Sequence, residues 1–398
     1  MQAQDFTADS PGRLVPTTDR ALAFVPAPLP HDLPLSGATA RCLSEADYAL
    51  GRLAGAAGRL VNPYLIGQPL LRREAILSSR IEGTFTTPEQ LVLMELGIEV
   101  RPANSRQTED TREVLNYVQA LDLGFRRLRE IPLSLRLVRE LHGALRQGVR
   151  GGTDRPGDFR DVQNYIGSAG DGIARARYVP PPVAEMRDAL NRWEEDLHRE
   201  DWELPLLVQL ALSHYQFEAI HPFRDGNGRV GRLLIPLSLH AHGRLDEPLL
   251  YMSAYFDAHR REYVDLLRRV STHGDWNAWV TFFLRGVAAC CEESLILVEQ
   301  LIALRDRYHD AARRQRAAGS LAMLIDHLFH VPSITIGFAG TLLGVTPAAA
   351  SANLRKLQEL GVIVEVTGRK RDQVFVAREI LAFVGRDTHA PNAEGDKS

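Results

Sequence analysis

Lysine is almost missing from this chain: of 47 basic residues in 398, only Lys356, Lys370 and Lys397 are lysines. Nothing before residue 356 can supply a phosphate-binding lysine, which excludes a G-x-x-x-x-G-K-[ST] loop and a kinase-type lysine. Cysteine is scarce too. Cys42, Cys290 and Cys291 are the full set, two of them adjacent, so neither a disulfide scaffold nor a cysteine-based zinc site is implied. No signal peptide or long apolar run occurs, which points to a cytoplasmic protein with no membrane partner. A net charge of −3 argues against broad non-specific binding to DNA. The remaining composition, 45% hydrophobic and 24% charged, is that of a globular protein long enough for two or three domains.

One stretch concentrates chemistry: His221-Pro222-Phe223-Arg224-Asp225-Gly226-Asn227-Gly228-Arg229-Val230-Gly231-Arg232. The run before it, 204–217, is apolar nearly all round and predicts a buried helix. Pro222 disfavours helical geometry at the residue before it, so that helix should end near Ile220 and leave His221 held just past its end. An imidazole there titrates near neutrality and can take a proton from a hydroxyl. Gly226 and Gly228 bracket Asn227 and let successive N–H groups curl into a nest for an anion. Helical periodicity resumes at Arg229, Val230 and Leu233, so the nest opens a helix N-terminus, where phosphate is favoured. Arg229 and Arg232 lie three apart on that helix and oppose its dipole, which a bound polyanion would offset. Asp225 offers an oxygen ligand for Mg²⁺ on the same phosphates. Each feature alone has a bland reading, as a helix-ending histidine, a lone GxG or a solvated arginine face; together and contiguous they indicate chemistry on a phosphate ester.

The run matches HPFxxGNGRxxR, the pattern of Fic domains, at every fixed position. The resemblance extends over most of residues 30 to 300. Phe217-Glu218 before the motif, and 251–256 and 276–279 after it, look like the flanking helices of that family. It implies a mainly α fold, a Fic helical core with a β-hairpin flap. It also implies a protein adenylyltransferase that moves AMP from ATP to a Ser, Thr or Tyr hydroxyl of a target protein and releases pyrophosphate. His221 would be the base, Asp225 the Mg²⁺ ligand, and Gly226, Asn227 and Gly228 the anion nest. Arg229 would bind phosphate and Arg232 the γ-phosphate, with Val230 and Gly231 in the same nucleotide-binding stretch. Phe223 reads as a core anchor. Glycine at 226 is the transferase form, where lysine marks the phosphotransferase branch. His259-Arg260 stands where this subgroup often has Asn-Arg, which leaves the nucleotide preference open.

Residues 70–83 resemble the inhibitory helix of members that carry it N-terminal to the core. Ser78, Glu82 and Gly83 fit [ST]xxxE[GN]; Ser78 and Glu82 are i, i+4 neighbours, and Gly83 suits a left-handed helix end. The resemblance implies that Glu82 occupies the Arg232 guanidinium and denies it to the γ-phosphate. An ordinary helix end with a surface glutamate, or a Glu82 that orients water to remove AMP in a bifunctional enzyme, are the alternatives.

Between 159 and 182 the pattern alternates, turns at 167–172 and alternates again, which predicts a hairpin. Its free edge can pair with an extended segment of a target protein, as the family's flap does; a hairpin that merely covers the core is the other reading. Residues 1–40 are proline-rich and read as an extended arm. The C-terminal region predicts three helices and two strands, a winged helix-turn-helix, with Thr346 and Pro347 starting the third helix. Arg355, Lys356 and the 368–371 turn offer phosphate contacts, but Ala348, Ala349 and Ala352 at the third helix's start have little capacity to read bases. The expected domains are therefore 1–110 (arm and inhibitory helix), 111–300 (core), 301–319 (linker helix), 320–385 (winged helix-turn-helix, α+β) and 386–398 (disordered tail). A homodimer, and DNA bound through 320–380 with the core as a nucleotide sensor, stand as alternative associations.

Overall fold

The computed structural model describes residues 1–58, 63–98, 105–149, 155–167, 172–315, 318–369 and 371–385. The expected disordered tail, most of the flap's turn, Arg316 and Lys370 lie outside them. The fold is mainly helical. In chain order it begins with β1 (Gly12–Pro16), β2 (Leu22–Pro26), α1 (Gly37–Ala57), α2 (Pro63–Ile81), α3 (Pro88–Glu95), α4 (Ser105–Arg127) and α5 (Leu135–Leu145). The middle holds α6 (Val183–Leu197), α7 (Leu206–Ile220), α8 (Asn227–Ala241), α9 (Ser253–Ala258), α10 (Arg260–His273) and α11 (Trp276–Arg313). Last come α12 (Ala318–His330), β3 (Ser333–Thr335), α13 (Ile336–Leu343), α14 (Pro347–Glu359), β4 (Val364–Glu365), β5 (Val374–Val376) and α15 (Arg378–Val384).

The chain forms two compact units that are not contiguous stretches of sequence: residues 1–52, 119–245 and 255–290 form one, and 53–118, 246–254 and 291–398 the other. The expected linker at 301–319 largely belongs to α11, a single helix of 38 residues that ends at Arg313.

In the first unit α7 is the central element. It is apolar on nearly every face, as its sequence predicts, and α6, α8 and α10 pack on it. Trp193 and Trp279 are fully buried and donate their indole N–H groups to α7, to the Ser213 hydroxyl (3.0 Å) and the Ala211 carbonyl (2.8 Å). The polar ends of these large rings are therefore satisfied inside the core.

The N-terminal residues correct the expectation of an extended arm. β1 and β2 pair antiparallel, Leu14 opposite Phe24, and β2 donates from Phe24 N–H to the Val179 carbonyl (2.9 Å). Val15, Ala23 and Val25 form a small core with Ala176 and Val179, so this hairpin packs beneath the return arm of the flap. Pro11, Pro16 and Pro26 read as breakers, but they sit before or at the strand ends, where a missing N–H costs little. The flap also differs from the predicted hairpin. Its arms close through one bridge, Ile166 with Tyr178, and 159–165 forms no ladder.

In the second unit α12 and α15 pack on α2. Val92 and Leu93 of α3 join Val374, Val376, Leu381 and Val384 in one cluster. Arg72 of α2 holds Glu95 through Nε (3.0 Å) and a terminal nitrogen (3.0 Å), and the buried Glu74 accepts from Tyr117 (3.0 Å) and from the hydroxyl (2.6 Å) and N–H (3.1 Å) of Ser253. The C-terminal region runs helix, strand, two helices and hairpin, with Thr346 capping α14 ahead of Pro347. Two elements went unread in the sequence: β3, which makes the sheet three-stranded in the order β3-β5-β4, and α15. Three residues of strand that run straight into a helix capped by Thr335 leave no period to detect.

Phe24 is fully buried and stacks on Phe6 (5.5 Å between ring centroids). Phe24→Ala is expected to lower unfolding free energy by about 3–5 kcal/mol and to speed protease cleavage near 176–179, whereas removal of a loose arm would change neither; urea titration and limited proteolysis check this.

Candidate functional site

α7 ends at Ile220, where Pro222 places it, and His221 follows in the left-handed region (φ 51°, ψ 61°), its N–H bonded to the Phe217 carbonyl at 3.0 Å. A non-glycine residue is strained there, so surrounding contacts must hold it. Arg160 does so. Its Nε donates to the His221 carbonyl (3.0 Å), its terminal nitrogens to the carbonyls of Val162 (3.1 Å) and Pro181 (2.5 Å), and its backbone N–H to Pro222 (2.9 Å). Arg160 is 1% exposed, and burial pulls its guanidinium down to about 10, still charged at neutral pH.

The rest of the turn is clasped from other directions. Asn227 accepts from the Phe223 N–H (2.7 Å) and donates to its carbonyl (2.8 Å), which also accepts from Asn164 (3.0 Å). His142 stacks on Phe223, 3.8 Å between centroids and 6° between planes. Its Nδ1 accepts from the Gly157 N–H (2.9 Å), so its proton lies on Nε2, which donates to the Asp225 carbonyl (3.0 Å). Burial lowers its pKa to about 4, and nearby guanidiniums reinforce that, so the ring is neutral.

Gly226 has φ 82° and caps α8, a conformation that a side chain would strain. Its N–H turns to the Asp225 carboxylate (2.6 Å), so the predicted nest loses that donor. The N–H groups of Asn227 and Gly228 open the helix and have no acceptor among the described residues. Asp225 is 56% exposed and pairs with the buried Arg146 (2.7 Å); Arg229 stands 3.9 Å from the same oxygen. Arg229 and Arg232 are both buried, which excludes the solvated face that their spacing alone would suggest.

The remaining predicted positions divide. Val230 is fully buried in the core and faces no open site. Gly231 faces α7, where a Cβ would run into the Glu218 carboxylate, and its carbonyl pairs with His214 (3.2 Å), so it is a packing glycine. Phe223 is the core anchor expected. In the second unit Ser78 is fully buried and α2 ends at Ile81. Glu82 follows, exposed, and Gly83 (φ 85°) closes the end with N–H bonds from Gly83 to Arg80 (2.9 Å) and from Thr84 to Ser79 (3.1 Å). That is the left-handed helix end expected at Gly83. His259 caps the start of α10 and bonds the Tyr255 carbonyl through Nδ1 (2.9 Å). Sequence reasoning missed Arg146, Arg160 and His142. A histidine or arginine among ordinary neighbours carries no signal until the turn it holds is known.

Among the described residues no three His, Cys, Asp or Glu side chains converge on a metal position. One exposed carboxylate beside open N–H groups fits Mg²⁺ nonetheless, because that ion binds through one or two carboxylates with phosphate oxygens and water completing its shell. Among the described residues no helix is long and apolar enough to cross a membrane.

Two outcomes follow. The His142 pKa lies below the usual 6.5, so the unfolded chain takes up the proton first; the stability from burying a neutral ring is complete above about pH 6.5 and is lost as pH falls toward 4. That loss is about 3 kcal/mol, and denaturant titrations across this window are expected to show a flatter pH dependence for His142→Gln than for the wild type. Arg160→Ala strands the carbonyls it serves and is expected to cost about 3 kcal/mol, with Arg160→Lys recovering only part, read by thermal unfolding.

Residues 40–126 match the family model of the Fic/DOC family N-terminal region, and residues 132–239 that of the Fic/DOC family. The protein adenylyltransferase Fic of Culex quinquefasciatus is 33% identical over 142 residues, 35% of this chain and 24% of that protein. The protein of the same name from Drosophila grimshawi is 27% identical over 222 residues, 54% of this chain and 40% of its own length. The chain thus spans about a quarter to two fifths of the curated relatives it matches. The crystal structure of a Fic family protein from Desulfovibrio desulfuricans G20 superposes with a TM-score of 0.53 over 87% of this chain and 97% of that one, at 19% identity, which shows a shared fold. Residues 40–126 and 132–239 are thus the N-terminal region and the core domain of the Fic/DOC family.

Proposed function

We propose that this chain is a protein adenylyltransferase, transferring AMP from ATP to a Ser, Thr or Tyr hydroxyl of a target protein. The observation that carries this reading is the turn itself: a histidine fixed just past one helix, directly before the open N–H groups of Asn227 and Gly228 at the start of the next. Those donors and the helix dipole suit phosphate oxygens, and buried Arg229 and Arg232 add charge beneath them. His221 takes the proton as the hydroxyl oxygen forms a bond to the α-phosphorus; the bond to the bridging oxygen breaks and pyrophosphate leaves. Asp225 would hold Mg²⁺, which neutralises phosphate charge when bound. Catalysis is then mostly positioning and charge stabilisation. The names of the relatives support the same activity.

Target docking falls to the flap. Val162, Tyr165 and Ile166 are exposed apolar residues there, and the N–H groups of 162–165 have no acceptor among the described residues. An extended segment of the target can pair with that edge. Glu82, held at the end of α2, is the restraint: its carboxylate competes with the γ-phosphate for Arg232, as the likeness of Ser78, Glu82 and Gly83 to the family's inhibitory motif implies.

Incubation with ATP labelled at the α- or the γ-phosphate tests this. Label enters protein from the α-position only, is strongest in Glu82→Gly, and falls about 10²–10⁴-fold when His221→Ala is added. Label from the γ-position, or none from the α-position in any variant, contradicts the reading.

A further inference from the structure

Within the first unit a cavity of about 600 Å³ opens beside the turn, between α5, residues 155–161, α6 and the edge formed by Arg224 and Asp225. It has an apolar part, Leu135, Phe159 and Leu190, and a charged part. Most of its charges are already paired: Arg139 with Asp158 (2.5 Å), Arg224 with Asp161 (2.5 Å) and Asp225 with Arg146 (2.7 Å). Arg155 and Arg187 are the exceptions. Both line the cavity and both are exposed; the side chain of neither makes a close ion pair or hydrogen bond among the described residues, although the Arg155 charge helps Arg224 hold the Asp161 carboxyl low. Asn191 adds an amide on the α6 side.

We propose that this cavity is a docking subsite for an acidic segment of the protein substrate. Carboxylates would pair with Arg155 and Arg187 while a neighbouring apolar side chain rests on Leu135, Phe159 and Leu190. Guanidinium groups without partners offer two-pronged sites for carboxylates, and the apolar part favours a peptide over a bare polyanion. Since Arg224 and Asp225 form one edge, a segment seated here runs toward the turn that carries His221. That the occupant is a substrate rests on the proposed transfer; that the cavity binds acidic peptide does not.

The test is fluorescence anisotropy with the full chain, without nucleotide, using a fluorescein-labelled peptide Glu-Glu-Leu-Glu-Glu-Ser and its glutamine-for-glutamate counterpart. The acidic peptide is expected to bind about tenfold or more tighter than the neutral one at low salt, and to weaken as salt rises. Arg155→Gln with Arg187→Gln is expected to remove that difference, whereas Arg261→Gln, a 97% exposed arginine on α10, leaves it unchanged. Equal binding of both peptides, the same loss in the Arg261 control, or a single-stranded oligonucleotide of equal charge that binds tighter and responds to the same double substitution overturns the proposal. Circular dichroism melting shows whether the double variant is folded; if it is not, Arg187→Gln alone must reduce acidic-peptide binding, or the proposal fails. Because no nucleotide is present, a negative result here leaves the α-label experiment to stand or fall by itself.

Discussion

The turn from His221 to Gly226 joins two buried helices and carries peptide groups that neither helix can satisfy. Leaving such groups unpaired in the interior costs more than any one contact returns, so side chains must be brought from elsewhere to meet them. Arg160 takes the His221 carbonyl, Asn227 and Asn164 take Phe223, and His142 takes Asp225. The clasps come from α5, from the flap's first arm and from the start of α8, and together they hold a histidine in a backbone conformation it would not choose alone. The N–H groups left over are those of Asn227 and Gly228, which have no acceptor among the described residues. Two open donors at the start of a helix are thus what remains once the interior demands of the turn are met.

The same accounting explains the flap. It has almost no ladder of its own, with one bridge between Ile166 and Tyr178. It is fixed at its base by Arg160, by the Tyr178 hydroxyl on the Ala219 carbonyl (2.8 Å) and by the N-terminal hairpin packed beneath it. One buried guanidinium therefore couples the backbone of His221 to both arms of the flap. The second unit gathers α2, which ends at Ile81 just before Glu82, with the C-terminal helices and sheet, so the end of that helix is set by packing within the unit.

Much of this was legible in the residues. An all-round apolar α7 stopped by Pro222, a glycine start to α8 and a left-handed end at Gly83 all follow from local rules that need no tertiary knowledge. Thr346 and Pro347 place α14 for the same reason. What escaped was non-local. The N-terminal hairpin hid behind prolines that sit at strand ends, and β3 is too short for any period. His142, Arg146 and Arg160 acquire meaning only when the fold brings α5 and the flap's first arm against the turn. Asn227 was assigned to the nest, yet its side chain serves the turn and only its N–H is open. Val230 and Gly231 belong to the motif's spelling but to the core's packing.

A crystal structure with Mg²⁺ and an ATP analogue that cannot be cleaved between the α- and β-phosphates would test the central claim most directly. The account predicts phosphate oxygens on the N–H groups of Asn227 and Gly228, Asp225 joined to them through the metal, and an α-phosphorus open to attack from the side of His221. A nucleotide bound away from this turn, or one whose α-phosphorus is turned from His221 in both the wild type and Glu82→Gly, would contradict it.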